Sequence, residues 1–296
     1  MDDAPTSAPA IEGFDYRHVE VNGLRLHYVE AGREHGGPPL LLVHGWPQHF
    51  WIWRHVARDL AQDHHVVAVD LRGHGWSEVA PPGGDAYDKR TLASDLEELV
   101  RALDLDRPVL VGHDWGSLVS LVVASRSPEL VRGVVAVAMV APWARLPLGA
   151  LPKFFYQVVA AGPWGRLAHQ GLDQRFLRTV YTLGAGRGPR LDDTEVYLER
   201  YRDRGRAEAG VAMYRRFLLR EAPAIMRGQY LDAPREVPVL FVPGESDDLL
   251  NPRLVAGGAT RPNTAMEAVA SAGHWVPEQQ PAVLVEKVRR FAAAHA

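Results

Sequence analysis

The 296-residue sequence contains no cysteine. That single absence excludes disulfides, thiolate metal sites and a cysteine nucleophile. Lysine is nearly as scarce. Lys89, Lys153 and Lys287 are the only lysines among 33 basic residues, so 33 − 3 = 30 are arginine, and Schiff-base chemistry has few candidates. No charge excess marks the chain either. A net charge of −3 lacks the strongly basic footprint of a nucleic-acid binder. Long apolar runs are also missing: the longest, Val131–Trp143, carries Arg132 and Gly133 and is too short to span a bilayer. Met1–Ala10 has neither the basic nor the apolar region of a signal peptide and reads as part of a loose tail, residues 1–12. A soluble, cytoplasmic protein without a membrane partner is expected.

What is present suits a packed core: 47% hydrophobic and 23% charged residues. His18–Val21 and Leu24–Glu30 read as strands joined at Asn22-Gly23, a hairpin signal. Further strand signals fall at Leu40–His44, His65–Asp70, Pro108–Gly112 and Val131–Val140. Helical patterns at Phe50–Ala61, Arg90–Leu103 and Trp115–Ser125 alternate with them. Such alternation with short connections predicts a parallel sheet covered on both faces. From Trp143 to Asp232 no strand signal occurs, and the chain reads as helical with Gly/Pro breaks. The strand pattern resumes at Val237–Pro243 and Thr264–Ala270, and a helix over Ala282–Ala294 follows. The expected organisation is an α/β core at 13–142 and 233–296, split by a helical cap at 143–232.

Four local patterns carry chemistry. Gly112-His113-Asp114-Trp115-Gly116 follows an apolar strand and opens a helix, which is the nucleophile-elbow pattern with aspartate in the nucleophile slot. A helix N-terminus favours an ionised carboxylate there. His44-Gly45-Trp46-Pro47 ends an earlier strand. The backbone N–H groups of Trp46 and Trp115 are the expected oxyanion donors, with Pro47 fixing the turn and open to a cis bond. Among thirteen histidines, His274 alone lies in a Gly-His turn after the last strand and is the expected base; His44 and His113 flank the motifs and read as structural. For the orienting acid, no Asp or Glu occurs between Leu130 and Leu172. That leaves the segment after Val239–Gly244, with Asp247 preferred, then Asp248, then Glu245.

HGWPQHFWIWR, DLRGHGWS, GHDWGS and SAGHW together resemble the α/β-hydrolase superfamily, and within it the epoxide hydrolases, over nearly the whole chain. The resemblance implies the α/β-hydrolase fold, a mostly parallel eight-stranded sheet with helices on both faces and an inserted helical cap. It also implies two cap tyrosines that hydrogen-bond the epoxide oxygen. Tyr156 and Tyr214 are similar to these, with Tyr181, Tyr197 and Tyr201 as competitors on helical ground. His44, Pro47, Trp143, Phe155 and Trp275 are expected to line the substrate pocket.

The implied reaction has two steps. Asp114 opens the epoxide to an ester, and His274, oriented by Asp247, activates the water that hydrolyses it to a diol. An aspartate nucleophile forms a cleavable ester where serine would form an ether, which argues against an esterase or peptidase. The haloalkane and haloacid dehalogenases share the Asp114–Asp247–His274 set. They need halide donors, for which Trp115, Trp143 and Trp164 are candidates, but Trp46 stands where haloalkane dehalogenases often have Asn. A catalytically silent binding protein on the same fold is the non-enzyme reading. No cofactor or metal is implied, the expected partners are a small apolar epoxide and water, and a homodimer is left open.

Overall fold

Asn22 and Gly23 both take left-handed backbone, φ 50° and 74°, as a two-residue type I′ turn requires. They join β1 (Asp15–Val21) to β2 (Leu24–Ala31) in an antiparallel hairpin with Val21 opposite Leu24. The structure, a computed structural model, describes residues 7–81, 83–144, 154–227, 229–232, 234 and 236–296.

The remaining strands are β3 (Leu40–Val43), β4 (Val66–Val69), β5 (Val109–His113), β6 (Gly133–Val137), β7 (Val239–Val242) and β8 (Thr264–Met266). They complete one eight-stranded sheet in the order β1-β2-β4-β3-β5-β6-β7-β8. β2 pairs antiparallel with β4; every pair from β4 to β8 is parallel. The expected mostly parallel sheet is therefore found. All residues of β3 to β7 are buried. Strands covered on both faces have no reason to alternate polar and apolar residues.

Three helices cover the first half: α1 (Arg54–Leu60), α2 (Lys89–Ala102) and α3 (Trp115–Arg126). α2 starts where the Asp88 side chain accepts from Arg90 N–H, and it buries Leu92, Leu96 and Leu99. Between β6 and β7 lie α4 (Phe155–Ala161), α5 (Gly165–Gln170), α6 (Arg175–Gly184), α7 (Thr194–Arg200) and α8 (Arg204–Arg216). A π-helical turn (Phe217–Glu221) joins α8 to α9 (Ala222–Met226). No strand interrupts this insertion among the described residues. The chain ends with α10 (Pro252–Ala256), α11 (Val276–Gln279) and α12 (Pro281–Ala294), the last packed on α1. Among the described residues no helix is long and apolar enough to cross a membrane.

Two strands are shorter than their apolar runs suggest. β6 stops at Val137 because Ala138 adopts φ 49°, which turns Met139–Pro142 out of the sheet. β8 stops at Met266, and only Val269 pairs again, with Gly244. The tail is less loose than expected. Ile11 is buried, its N–H donates to the Tyr16 hydroxyl, and that hydroxyl donates to the Pro9 carbonyl. Residues 1–6 of the tail and 145–153 and 228 of the insertion lie outside the described residues.

Candidate active site

The carboxyl ends of β3, β5, β7 and β8 all open onto the same edge of the sheet, where parallel α/β sheets place their ligand sites. Asp114 stands in the turn from β5 to α3 with φ 50° and ψ −122°, a strained conformation for a residue with a side chain. The glycines on either side make that turn feasible. A Cβ on Gly112 would lie 2.5 Å from the Ser117 backbone, and one on Gly116 would collide with the Val43 carbonyl. The Trp46 N–H, at the end of β3 and before a cis Pro47, donates to Asp114 Oδ1 at 3.1 Å. Trp115 opens α3, so its N–H is one of the helix donors without an intrahelical partner.

His274 lies between two carboxylates. Its Nδ1 is 2.9 Å from Asp247 Oδ2 and its Nε2 is 3.5 Å from Asp114 Oδ2. Asp247 is held by the N–H groups of Leu249 and Leu250, at 2.8 and 2.9 Å on Oδ1. Asp248 and Glu245 are exposed, so Asp247 is the carboxylate brought to the histidine. Burial alone would lower the His274 pKa, but Asp247 and Asp114 outweigh it and raise the value to about 10. Burial would raise Asp247, but the His274 charge, its hydrogen bond and the two backbone donors hold it below the usual carboxylate value. The flanking histidines stay neutral through burial. His44 is pushed down to about 3 and His113 to about 4. His44 accepts from Leu71 N–H, and His113 bonds the His274 carbonyl, which are framework roles.

Next to Asp114 lies a cavity of about 260 Å³. Its walls come from Trp115 and Leu118 of α3, Met139–Pro142 after β6, Phe154, Tyr156 and Gln157 near α4, the π turn with α9, and Leu250. No Arg, Lys or His side chain lines it among the described residues. Tyr156 is in this wall. Tyr214 sits behind it, its ring edge-on to Trp46, Trp115 and Tyr156 at 4.8, 5.5 and 6.1 Å. Burial pushes both phenols well above the ordinary tyrosine range, and Asp114 adds to the effect, so both remain protonated donors. Tyr181, Tyr197 and Tyr201 do not line the cavity: Tyr181 donates to the Pro47 carbonyl and Tyr197 to Glu278.

The expected pocket lining needs correction. Phe155 is 66% exposed, because the inward face of α4 carries Tyr156, Gln157 and Ala160. Trp143 donates its indole N–H to Gly258 and packs on Phe241, away from the cavity. The Trp275 indole N–H is spent on the Tyr181 carbonyl, and Pro47 on the Tyr181 hydroxyl. His44 is enclosed in the framework below. Of the indoles considered as halide donors, Trp164 is 76% exposed, and only Trp115 reaches the cavity. Residues missed from the sequence include Gln157, Phe217, Leu218, Ile225 and Leu250. Only Gln157, a polar residue inside the run FFYQVVAA, stood out chemically. Among the described residues no group of three His, Asp or Glu side chains is arranged to hold a metal ion.

This arrangement brings together a carboxylate in a strained turn, the Trp46 N–H on its oxygen, a carboxylate-paired imidazole and the Tyr156 phenol in the wall of an apolar cavity, with Tyr214 behind it. The chain matches the family described as alpha/beta hydrolase fold over residues 38–281, and that described as epoxide hydrolase N terminus over residues 7–53. It is 29% identical to a soluble epoxide hydrolase of Corynebacterium sp. (strain C12), over 94% of this chain and 97% of that protein. It is 30% identical to epoxide hydrolase 3 of Mus musculus, over 89% of this chain and 72% of that protein. A solved structure titled "Epoxide hydrolase CorEH without ligand" superposes with a TM-score of 0.81 at 29% identity, covering 95% of this chain and 99% of that one. The aspartate elbow, the sheet order and these matches agree: the chain belongs to the α/β-hydrolase fold family, in its epoxide hydrolase branch.

Proposed function

We propose that the protein hydrolyses an uncharged, apolar epoxide to a vicinal diol, with residues 143–232 acting as a cap over the core of 13–142 and 233–296. The observation that carries this reading is Asp114 at the floor of a cavity whose opposite wall offers the Tyr156 phenol and no cation. A haloacid would bring a carboxylate beside Asp114 without a counter-ion, which is strongly unfavourable in an apolar cavity.

In the first step an Asp114 oxygen attacks one epoxide carbon. The carbon–oxygen bond breaks, and the departing oxygen takes a proton donated through Tyr156 and Tyr214. The product is an ester on Asp114. Esterification removes one of the two negative charges holding the His274 proton, so the imidazolium becomes a weaker proton holder at the moment a base is needed. Neutral His274, with Nδ1–H directed at Asp247, then takes a proton from water. Hydroxide adds to the Asp114 carbonyl carbon, and the Trp46 and Trp115 N–H groups take up the oxyanion. Collapse frees the diol and restores the Asp114 carboxylate beside the imidazolium. The His274 proton replaces the one the tyrosines gave to the epoxide oxygen, the histidine regains one from water, and the other water proton passes from the Asp114 carboxyl to the released oxygen, so epoxide plus water balances as diol.

The test is a paired assay on styrene oxide and a short haloalkane, scoring diol against halide. Diol without halide is expected. Asp114→Ala should abolish turnover, and His274→Gln should accumulate an adduct heavier by the mass of the epoxide. Full activity in Asp114→Ala overturns the scheme. A dehalogenase reading has one observation in its favour: the Trp115 indole N–H is buried at the cavity without a hydrogen-bond partner among the described residues. It predicts halide release that survives Tyr214→Phe, whereas epoxide opening should fall by about 100-fold in that variant, as for loss of one charge-stabilising donor.

A further inference from the structure

Lys89 is one of three lysines in the chain, and its side chain is fully buried. Its ammonium lies 3.1 Å from Glu221 Oε2 and 3.4 Å from the Met213 carbonyl. It also sits 4.2 Å from the centroid of the Trp115 ring and 5.3 Å from that of Phe217. The other oxygen of Glu221 accepts the Lys89 backbone N–H at 2.8 Å and the Tyr230 hydroxyl at 3.1 Å. One carboxylate from the cap therefore serves both the side chain and the first helical N–H of α2. The pairing is reciprocal, since Arg216 of α8 binds Asp88, the residue that caps α2, at 3.2 Å.

Glu221 closes the π turn. There the Ala222 N–H reaches back five residues to the Phe217 carbonyl. Pro223 explains the widened turn: it has no N–H, and in a regular helix its ring would crowd the Leu219 carbonyl. The extra residue divides the chain between two tasks. Phe217, Leu218, Ala222 and Ile225 face the cavity, while Glu221 turns away from it to Lys89. A buried ion pair adds little net stability, because desolvating both charges offsets their attraction. Its worth here is geometric: the Lys89 ammonium touches Trp115 on the cavity floor and Phe217 on its wall at once.

We propose that Lys89 and Glu221 are positioning residues that set substrate selectivity, by fixing the π turn of the cap against the Trp115 ring, which Phe217 meets edge-on at 4.6 Å, and so the place of Phe217 and Leu218 in the cavity wall. They touch no reacting atom. The kinetic consequence rests on the epoxide-hydrolase reading; the structural one does not.

The test is the neutral pair K89M/E221Q. The amide oxygen introduced by E221Q can still accept the helix N–H and the Tyr230 hydroxyl, so folding is retained while both charges go. Amide exchange over the π turn, followed at Ala222, should speed up. KM for styrene oxide should rise by about tenfold, the scale of a pocket-fit change, while kcat for propylene oxide stays within about twofold. K89R, which keeps the ion pair, should restore slow exchange at Ala222 and most of the styrene oxide KM; it also serves as the comparison should the double variant fold poorly. Unchanged exchange at Ala222, or faster exchange with an unaltered KM ratio between the two epoxides, overturns the proposal. If the wild-type protein opens neither epoxide, the reading of the site fails, and the exchange measurement still decides whether the pair holds the turn.

Discussion

His274 sits between Asp114 and Asp247, and that position decides where its proton rests. The value of about 10 lies above the ordinary 6.5, so the folded state favours the charged imidazole. The linked stability is fully present below pH 6.5 and is lost as pH rises through about 10. Asp114→Asn removes one of the two carboxylates. Its thermal midpoint should therefore fall less steeply than wild type across that interval, by about 1.4 kcal/mol of stability for each pKa unit lost. Parallel melting curves for the two proteins, followed against pH, would remove Asp114 from the histidine's environment. At this scale much was legible in advance. Asp114, Trp46 and His274 stand in short motifs whose chemistry is local. Asp247 came by elimination along the chain, and its neighbours Asp248 and Glu245 turn to solvent.

At the scale of elements, the β5–α3 turn depends on backbone proximity that no side chain tolerates. The Val43 carbonyl at the end of β3 occupies the space a Cβ on Gly116 would need. Gly116→Ala must displace either β3 or the start of α3. A loss of roughly 1–3 kcal/mol, typical of overpacking, is expected in denaturant unfolding, together with loss of turnover. Wild-type stability and activity in that variant would refute the close contact. Helix α4 shows the limit of reading at this scale. FFYQVVAA is apolar almost throughout, so its pattern does not say which face turns inward. Packing against α8 chooses Tyr156, Gln157 and Ala160 for the inside and leaves Phe155 and Val158 in solvent. The π turn was equally hidden, since Pro223 alone predicts a break and not a register shift.

At the scale of the molecule, α6 ties the cap to both loops of the site. Tyr181 donates to the Pro47 carbonyl, and its own carbonyl accepts the Trp275 indole. The Gly184 carbonyl accepts the His274 N–H at 2.7 Å, and Gln279 donates to the Ala185 carbonyl. The helical insertion and the sheet therefore share buried hydrogen bonds beside Asp114 and His274 and should unfold together. Scanning calorimetry should show one transition with equal calorimetric and van't Hoff enthalpies. Two resolved transitions would mean that the cap melts independently.

The succession of strands and helices, the aspartate elbow, the histidine turn after the last strand and the interruption of the sheet could all be read along the chain. Each is written in residues close together, through hydrophobic period, turn glycines and motif spacing. Folding in three dimensions was needed to settle which side chains line the cavity, how Lys89 and Glu221 meet across 132 positions, and how far the two carboxylates shift His274. Those depend on distances between segments far apart in sequence and on the low-dielectric interior they enclose together, and neither exists until the chain has folded.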